Sequence, residues 1–137
     1  MTETFDRSAG GDMSEPCPSD DRCVLVVDDD AILRRVVRAV LEADGFRVIE
    51  AQDGEQGLAM AASERPSVVI LDVMMPGLDG VEVCRRLDHQ STKVLMLTAL
   101  GDVSTEMESL RAGARGYLTK PFSSMDLLDR VEELLRS

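Results

Sequence analysis

Apolar positions along this chain alternate between two patterns, short unbroken runs and longer stretches with helical spacing. The runs are Cys23-Val24-Leu25-Val26-Val27, a segment near Arg47–Ala51, Val68-Val69-Ile70-Leu71, Val94-Leu95-Met96-Leu97 and Gly116-Tyr117-Leu118-Thr119. Unbroken aliphatic runs of this length predict strands buried on both faces, as in a parallel sheet. After the first run, Ile32, Leu33, Val36, Val37, Val40 and Leu41 fall on one helical stripe, and Gly45 stands where that helix should stop. Further helices are predicted at about Gly54–Ser63, ended by Glu64-Arg65-Pro66, and at about Val81–Leu87, Val103–Ala112 and Ser124–Arg136. In the last of these, Leu127, Leu128, Val131, Leu134 and Leu135 form the apolar stripe, and Ser123 or Ser124 is placed to cap it. Strands alternating with helices predict a single α/β domain, with helices on both faces of a parallel sheet.

Residues 1–21 lack either pattern and are rich in Gly, Ser, Pro and acid, which predicts a disordered acidic tail ahead of a domain at 22–137. The whole chain has 137 residues, 44% hydrophobic and 30% charged, enough to close one core. Its formal net charge of −11 disfavours direct binding to nucleic acid or an anionic membrane, both of which call for clustered Lys and Arg, and favours a cation or a basic protein surface. Cys17, Cys23 and Cys84 show neither paired number nor metal-ligand spacing, so reduced thiols are expected. No apolar run approaches the ~20 residues that span a bilayer, and no basic-then-apolar leader stands at the start, so a cytoplasmic location is expected.

In doubly wound sheets, ligands bind beyond the C-terminal ends of the strands. The residues at those ends are Asp28 and Asp29 after the first run, Asp72 after the third, Thr98 after the fourth and Lys120 after the fifth. A dinucleotide site would put a Gly-rich turn after the first strand, but Asp28-Asp29-Asp30 stands there and repels a bare phosphate. Clustered carboxylates raise one another's pKa unless a cation neutralises them. Mg²⁺, with Mn²⁺ as a substitute, matches an all-oxygen set of this kind; Asp29 and Asp72 are the expected ligands, with Asp28 positioning a bound water. Lys120 and the Thr98 hydroxyl would then stabilise a phosphoryl group, leaving Asp72 as a carboxylate nucleophile that forms an acyl phosphate.

Four motifs in order, Val-Leu-Val-Val-Asp-Asp-Asp, Leu-Asp-Val-Met-Met-Pro-Gly-Leu-Asp-Gly, Leu-Thr-Ala and Tyr-Leu-Thr-Lys-Pro-Phe, closely resemble the response-regulator receiver family of two-component signalling over roughly 22–137. The resemblance implies a flavodoxin-like (βα)5 fold with strand order 2-1-3-4-5. It implies that Asp72 takes a phosphoryl group from a histidine kinase or a histidine phosphotransfer protein, and that Thr98 and Lys120 read it. It implies a metal site of Asp28, Asp29, Asp72 and the Met74 backbone carbonyl, and a cis peptide between Lys120 and Pro121. Thr98 and Tyr117 are implied as the switch pair, remodelling the face of the fourth helix, fifth strand and fifth helix toward a partner. On this basis the chain catalyses only its own phosphorylation and dephosphorylation, as a monomer or a phosphorylation-dependent dimer.

That output face departs from the receivers of winged-helix transcription factors. Arg115-Gly116 stands where those carry an acidic pair before the tyrosine, and Glu106, Glu108 and Arg111 partly reverse their charge order, so their shared dimer interface is not expected.

Other features read as structural. Asp30 is expected to cap the first helix, Asp79-Gly80 to meet the backbone-angle demands of a turn, and His89 to lie in a surface loop. Met1 is the initiator and Met13 lies in the tail; most of the other methionines are expected to fill core. Two alternatives remain open from sequence. One is a haloacid-dehalogenase-type phosphohydrolase with Asp28 as nucleophile and Asp30 as general acid. The other is a phosphorylation-independent interaction module that keeps the fold alone.

Overall fold

The aliphatic runs become the strands of a five-stranded parallel sheet in the computed structural model, which describes residues 22–136. The predicted tail and Cys17 lie outside the described residues. In chain order the elements are β1 (Cys23–Val27), α1 (Ala31–Ala43), β2 (Arg47–Ala51), α2 (Gly54–Glu64) and β3 (Val68–Asp72). They continue as α3 (Gly80–Arg86), β4 (Lys93–Ala99), α4 (Val103–Arg111), β5 (Gly116–Lys120) and α5 (Ser124–Arg136). The strand order is β2-β1-β3-β4-β5, with every neighbouring pair parallel, so the expected 2-1-3-4-5 order holds.

β1 and β3 are buried along their whole length because helices cover both faces. On one face Val24, Val26, Ile70, Leu95 and Leu97 pack with Val37 and Leu41 of α1 and Leu127 and Val131 of α5. On the other, Leu25, Val27, Val69, Leu71 and Met96 pack with Val83 and Cys84 of α3. Alternate strand residues thus feed two separate cores, the outcome of a two-residue side-chain period.

Carboxylates start four of the helices. Asp30 accepts from the Ile32 and Leu33 amides, Asp53 from Gln56, Asp79 from Glu82 and Asp102 from Thr105. Each satisfies amides that the first helical turn leaves without partners. Ser123 does the same for α5, its hydroxyl accepting from the Asp126 amide at 3.0 Å. The expected Gly45 stop is present, at φ +91 just after the end of α1.

Four expectations need correction. The stripe on α1 is narrower than its periodicity implies, since Ile32 is 71% and Val36 49% exposed while Val37 and Leu41 alone are fully buried. A single helix resting on one sheet face covers only its central ridge. Core filling accounts for only part of the methionines, because Met74, Met107 and Met125 are exposed. Gly80 does not sit at a positive φ; a β-carbon there would lie 2.1 Å from the Asp72 carbonyl oxygen, so close approach of α3 to β3 requires it. His89 is half-buried: its Nε2 donates to the Cys84 carbonyl at 2.6 Å, and its ring lies against Gly113.

Candidate functional site

Because all five strands run parallel, their C-terminal ends lie on one edge of the sheet, and the strand ends and loops there hold the acids and the lysine that the sequence singled out. Asp28 follows β1, Asp72 ends β3 and Lys120 ends β5. Thr98 is the next-to-last residue of β4. The structure brings them together. Carboxylate oxygens of Asp28, Asp29 and Asp72 all lie within 4.8 Å of one another. Lys120 reaches over the edge, its Nζ 3.2 Å from Asp72 Oδ1 and 3.6 Å from Asp28 Oδ2. The peptide between Lys120 and Pro121 is cis.

Burial decides the electrostatics. Asp28 is fully buried and Asp72 almost so, while Asp29 is exposed. Removal from water pushes the Asp28 carboxyl up to about 6, with the Asp72 and Asp29 charges adding to the rise; the Asp30 backbone N–H and Lys120 oppose it. The Asp30 amide donates to Asp28 Oδ1 at 2.9 Å, and the Met74 amide donates to Asp72 Oδ1 at 3.3 Å.

Among the described residues, two buried side-chain oxygens have no hydrogen-bond partner, Asp28 Oδ2 and Thr98 Oγ1. Asp28 lies just after β1 and Thr98 within β4, the two strands that flank β3 and its Asp72. Buried polar atoms are almost always paired, so a pair of orphans at one strand edge marks where other groups are to bind. An oxygen-only donor set with a free buried carboxylate oxygen suits a hard divalent cation, and a free hydroxyl suits an acceptor oxygen.

Asp30 does not share in this chemistry. Its Oδ1 accepts from two amides of α1, the capping role expected from the sequence, and it lies outside the cluster of Asp28, Asp29 and Asp72. Tyr117 is half-buried beside the core on the α3 face, and by strand alternation it shares a sheet face with Thr98. The Cys84 thiol is buried, donates to the Ala112 carbonyl and is pushed up to about 11 by burial, so it is not a nucleophile.

Two contributions were not read from the sequence. Gly80 allows α3 to press on the Asp72 carbonyl. Arg34, in the first turns of α1, donates from Nη1 to the Asp28 backbone carbonyl at 2.6 Å and from Nε to Glu50 Oε1 at 3.1 Å. Its position in the turn after the Asp30 cap was the available signal, because helical side chains lean toward the N-terminus and cover the preceding loop.

Comparison with known proteins bears on the fold and the family. The family model described as the response regulator receiver domain matches residues 24–132. The response regulator MprA of Mycolicibacterium vanbaalenii is 49% identical over 115 residues, covering 82% of this chain and 50% of that protein. The transcriptional regulatory protein ResD of Bacillus subtilis is 40% identical over 114 residues, covering 82% and 48%. The chain therefore spans about half the length of the curated relatives it matches. The solved structure of the chemotaxis protein CheY4 of Vibrio cholerae superposes with a TM-score of 0.77 at 36% identity, covering 82% of this chain and 97% of that one.

Proposed function

The chain belongs to the response-regulator receiver domain family of two-component signalling, and from that premise we propose that Asp72 accepts a phosphoryl group and that the acidic edge holds Mg²⁺, or Mn²⁺ in its place. The observation that carries this reading is the pair of buried orphan oxygens, Asp28 Oδ2 and Thr98 Oγ1, at the strands flanking Asp72. Asp28, Asp29, Asp72 and the Met74 backbone carbonyl would hold the ion. When bound, it supplies positive charge that offsets the negative charge of the phosphoryl oxygens and of the acids themselves.

A carboxylate oxygen of Asp72 attacks the phosphorus of a phosphohistidine on a histidine kinase or phosphotransfer protein. The P–N bond breaks, the imidazole leaves with its electron pair, and an acyl phosphate forms. Lys120, already within 3.2 Å of Asp72, pairs with a phosphoryl oxygen, and the Thr98 hydroxyl donates to another. The arrangement favours whichever conformation lets Thr98 donate. Tyr117, on the same sheet face, follows it, and the surface of α4, β5 and α5 changes toward a protein partner.

Several further properties belong to this proposal. Catalysis is limited to the chain's own phosphorylation and dephosphorylation, and the state is monomeric or a phosphorylation-dependent dimer. The location is cytoplasmic; no helix among the described residues is long and apolar enough to cross a membrane. In a chain whose net charge is −11, this domain does not itself contact nucleic acid; relatives such as ResD, named as a transcriptional regulator, have about as much chain again outside the matched segment.

The test is intact-mass spectrometry after incubation with a small-molecule phosphodonor, with and without Mg²⁺, on the native chain and Asp72→Asn. One Mg²⁺-dependent phosphoryl adduct, absent in the variant, is expected. No adduct on the native chain would favour a phosphorylation-independent interaction module, and substrate turnover by the variant would point to the phosphohydrolase alternative.

A further inference from the structure

Every polar group of Asp28 but one is tied down. Its amide donates to the Ala51 carbonyl on β2 at 3.2 Å, and its Oδ1 accepts from the Asp30 amide at 2.9 Å. Its backbone carbonyl accepts from Arg34 Nη1 at 2.6 Å. Only Oδ2, buried and without a hydrogen bond, is left facing Lys120 at 3.6 Å.

Arg34 is the member of this set that reaches furthest. Its side chain is only 14% exposed, and its Nε holds Glu50 Oε1 at 3.1 Å. Glu50 neighbours Ala51 on β2 and is held in turn by Arg38 Nη1 at 2.9 Å. One planar guanidinium thus joins the edge strand to the peptide between Asp28 and Asp29, the peptide whose orientation sets where both carboxylates point. Glu50 offsets charge from Arg34 and Arg38 together, and what Arg34 contributes at the Asp28 carbonyl is the fixed spacing of its fork.

We propose that Arg34 is a positioning residue for the cation site, locking the Asp28–Asp29 peptide against β2 so that the acid pair is presented in one geometry before any ion arrives. The inference rests on the cation site proposed above. Groups that orient ligands from behind typically change metal affinity about 10- to 100-fold when removed, and a preorganised backbone carbonyl falls within that logic.

The test is calorimetric titration of the full chain with Mg²⁺ alone, for the native protein, Arg34→Ala, Arg34→Lys and Glu50→Gln, with the amide NMR signals of Asp28, Asp29 and Asp30 followed in parallel. Urea unfolding identifies conditions in which each variant is folded. Arg34→Ala is expected to weaken Mg²⁺ binding about 10-fold or more and to shift or broaden those three amides. Arg34→Lys is expected not to restore binding, because one ammonium cannot span the carbonyl and Glu50 together. Glu50→Gln keeps an acceptor for Nε and should cost no more than about threefold, a few tenths of a decade as expected for a partner that still hydrogen-bonds. Native affinity in folded Arg34→Ala overturns the inference, and full restoration by Arg34→Lys assigns the effect to charge and overturns the fork. A native chain that binds no Mg²⁺ overturns the cation site itself, a result distinguishable from either of these.

Discussion

Lys120 Nζ stands 3.2 Å from Asp72 Oδ1 and 3.6 Å from Asp28 Oδ2, so one partly exposed cation is shared between two buried carboxylates from different strands. That single charge is what the described residues place between the two acids. Its neutralisation of them is partial, because Asp28 is still raised to about 6.

Removing the shared cation should expose the strain it relieves. Lys120→Ala is expected to lower metal-free stability at pH 7 by about 1–2 kcal/mol, less than a fully buried pair because the lysine side chain remains partly in water. Much of the loss should return near pH 5, where Asp28 can take up a proton. Urea unfolding of both proteins at the two pH values checks this; equal stability at pH 7 would mean that the lysine does not hold the acids together.

Asp28 is raised from 3.8 to about 6, chiefly by burial, and the sign of its effect follows. Between those pH values the folded chain keeps a proton that the unfolded chain has released, so stability from this group is greatest below about pH 4 and declines as pH rises through 6. Two units at 1.36 kcal/mol each give a cost of about 3 kcal/mol at pH 7. Asp28→Asn keeps an acceptor for the Asp30 amide but carries no charge. Without metal it should be more stable than the native chain at pH 7, and the difference should shrink toward pH 4. Added Mg²⁺ should raise the melting temperature of the native chain and leave the variant unchanged.

Gly80 offers a purely steric prediction. A β-carbon there would fall 2.1 Å from the Asp72 carbonyl oxygen and 2.8 Å from the Val73 α-carbon, both backbone atoms that cannot swing aside. Gly80→Ala should cost about 3 kcal/mol in urea unfolding, at the upper end for overpacking. A cost below about 1 kcal/mol would mean that α3 can slide away from β3 freely.

The site was legible where chemistry and strand periodicity coincide. Asp28, Asp72, Thr98 and Lys120 each end or follow an apolar run, and a parallel sheet gathers such ends onto one edge, so their convergence follows from pattern alone. The strands were legible for the same reason, since β1 and β3 are buried throughout and read as unbroken runs. The helices were less so. Spacing counts apolar residues without knowing which are covered, hence Ile32 and Val36 left exposed on α1. On α4 the relation is reversed: Val103, Met107 and Leu110 face outward, while Ser109, its hydroxyl bonded to the Thr105 carbonyl, is buried. The close approach at Gly80 and the reach of Arg34 were not legible because each acts on a neighbour's backbone, and a carbonyl leaves no mark in a sequence.

On the reading proposed above, Met74 and Leu100 bear on how long the acyl phosphate would last. Each stands two residues beyond a site residue, Met74 after Asp72 and Leu100 after Thr98, and they are 73% and 80% exposed. The Met74 amide donates to the Asp72 carboxylate, so its side chain projects from the rim of the proposed phosphoacceptor. Both are bulky and apolar where an exposed loop ordinarily carries polar residues. Water that would hydrolyse the proposed phosphate has to approach past that rim, and apolar side chains there would limit its access without touching the reacting atoms. Met74→Ala and Leu100→Ala should each speed loss of the phosphoryl adduct about threefold, equivalent to roughly 0.7 kcal/mol of barrier. The double variant should multiply the two effects if the side chains screen separate approaches. Timed intact-mass measurement after removal of phosphodonor gives the rates directly. Unchanged rates in both single variants, or faster hydrolysis on enlarging either residue, would remove the rim from any account of lifetime and leave Asp72, Thr98 and Lys120 to set it alone.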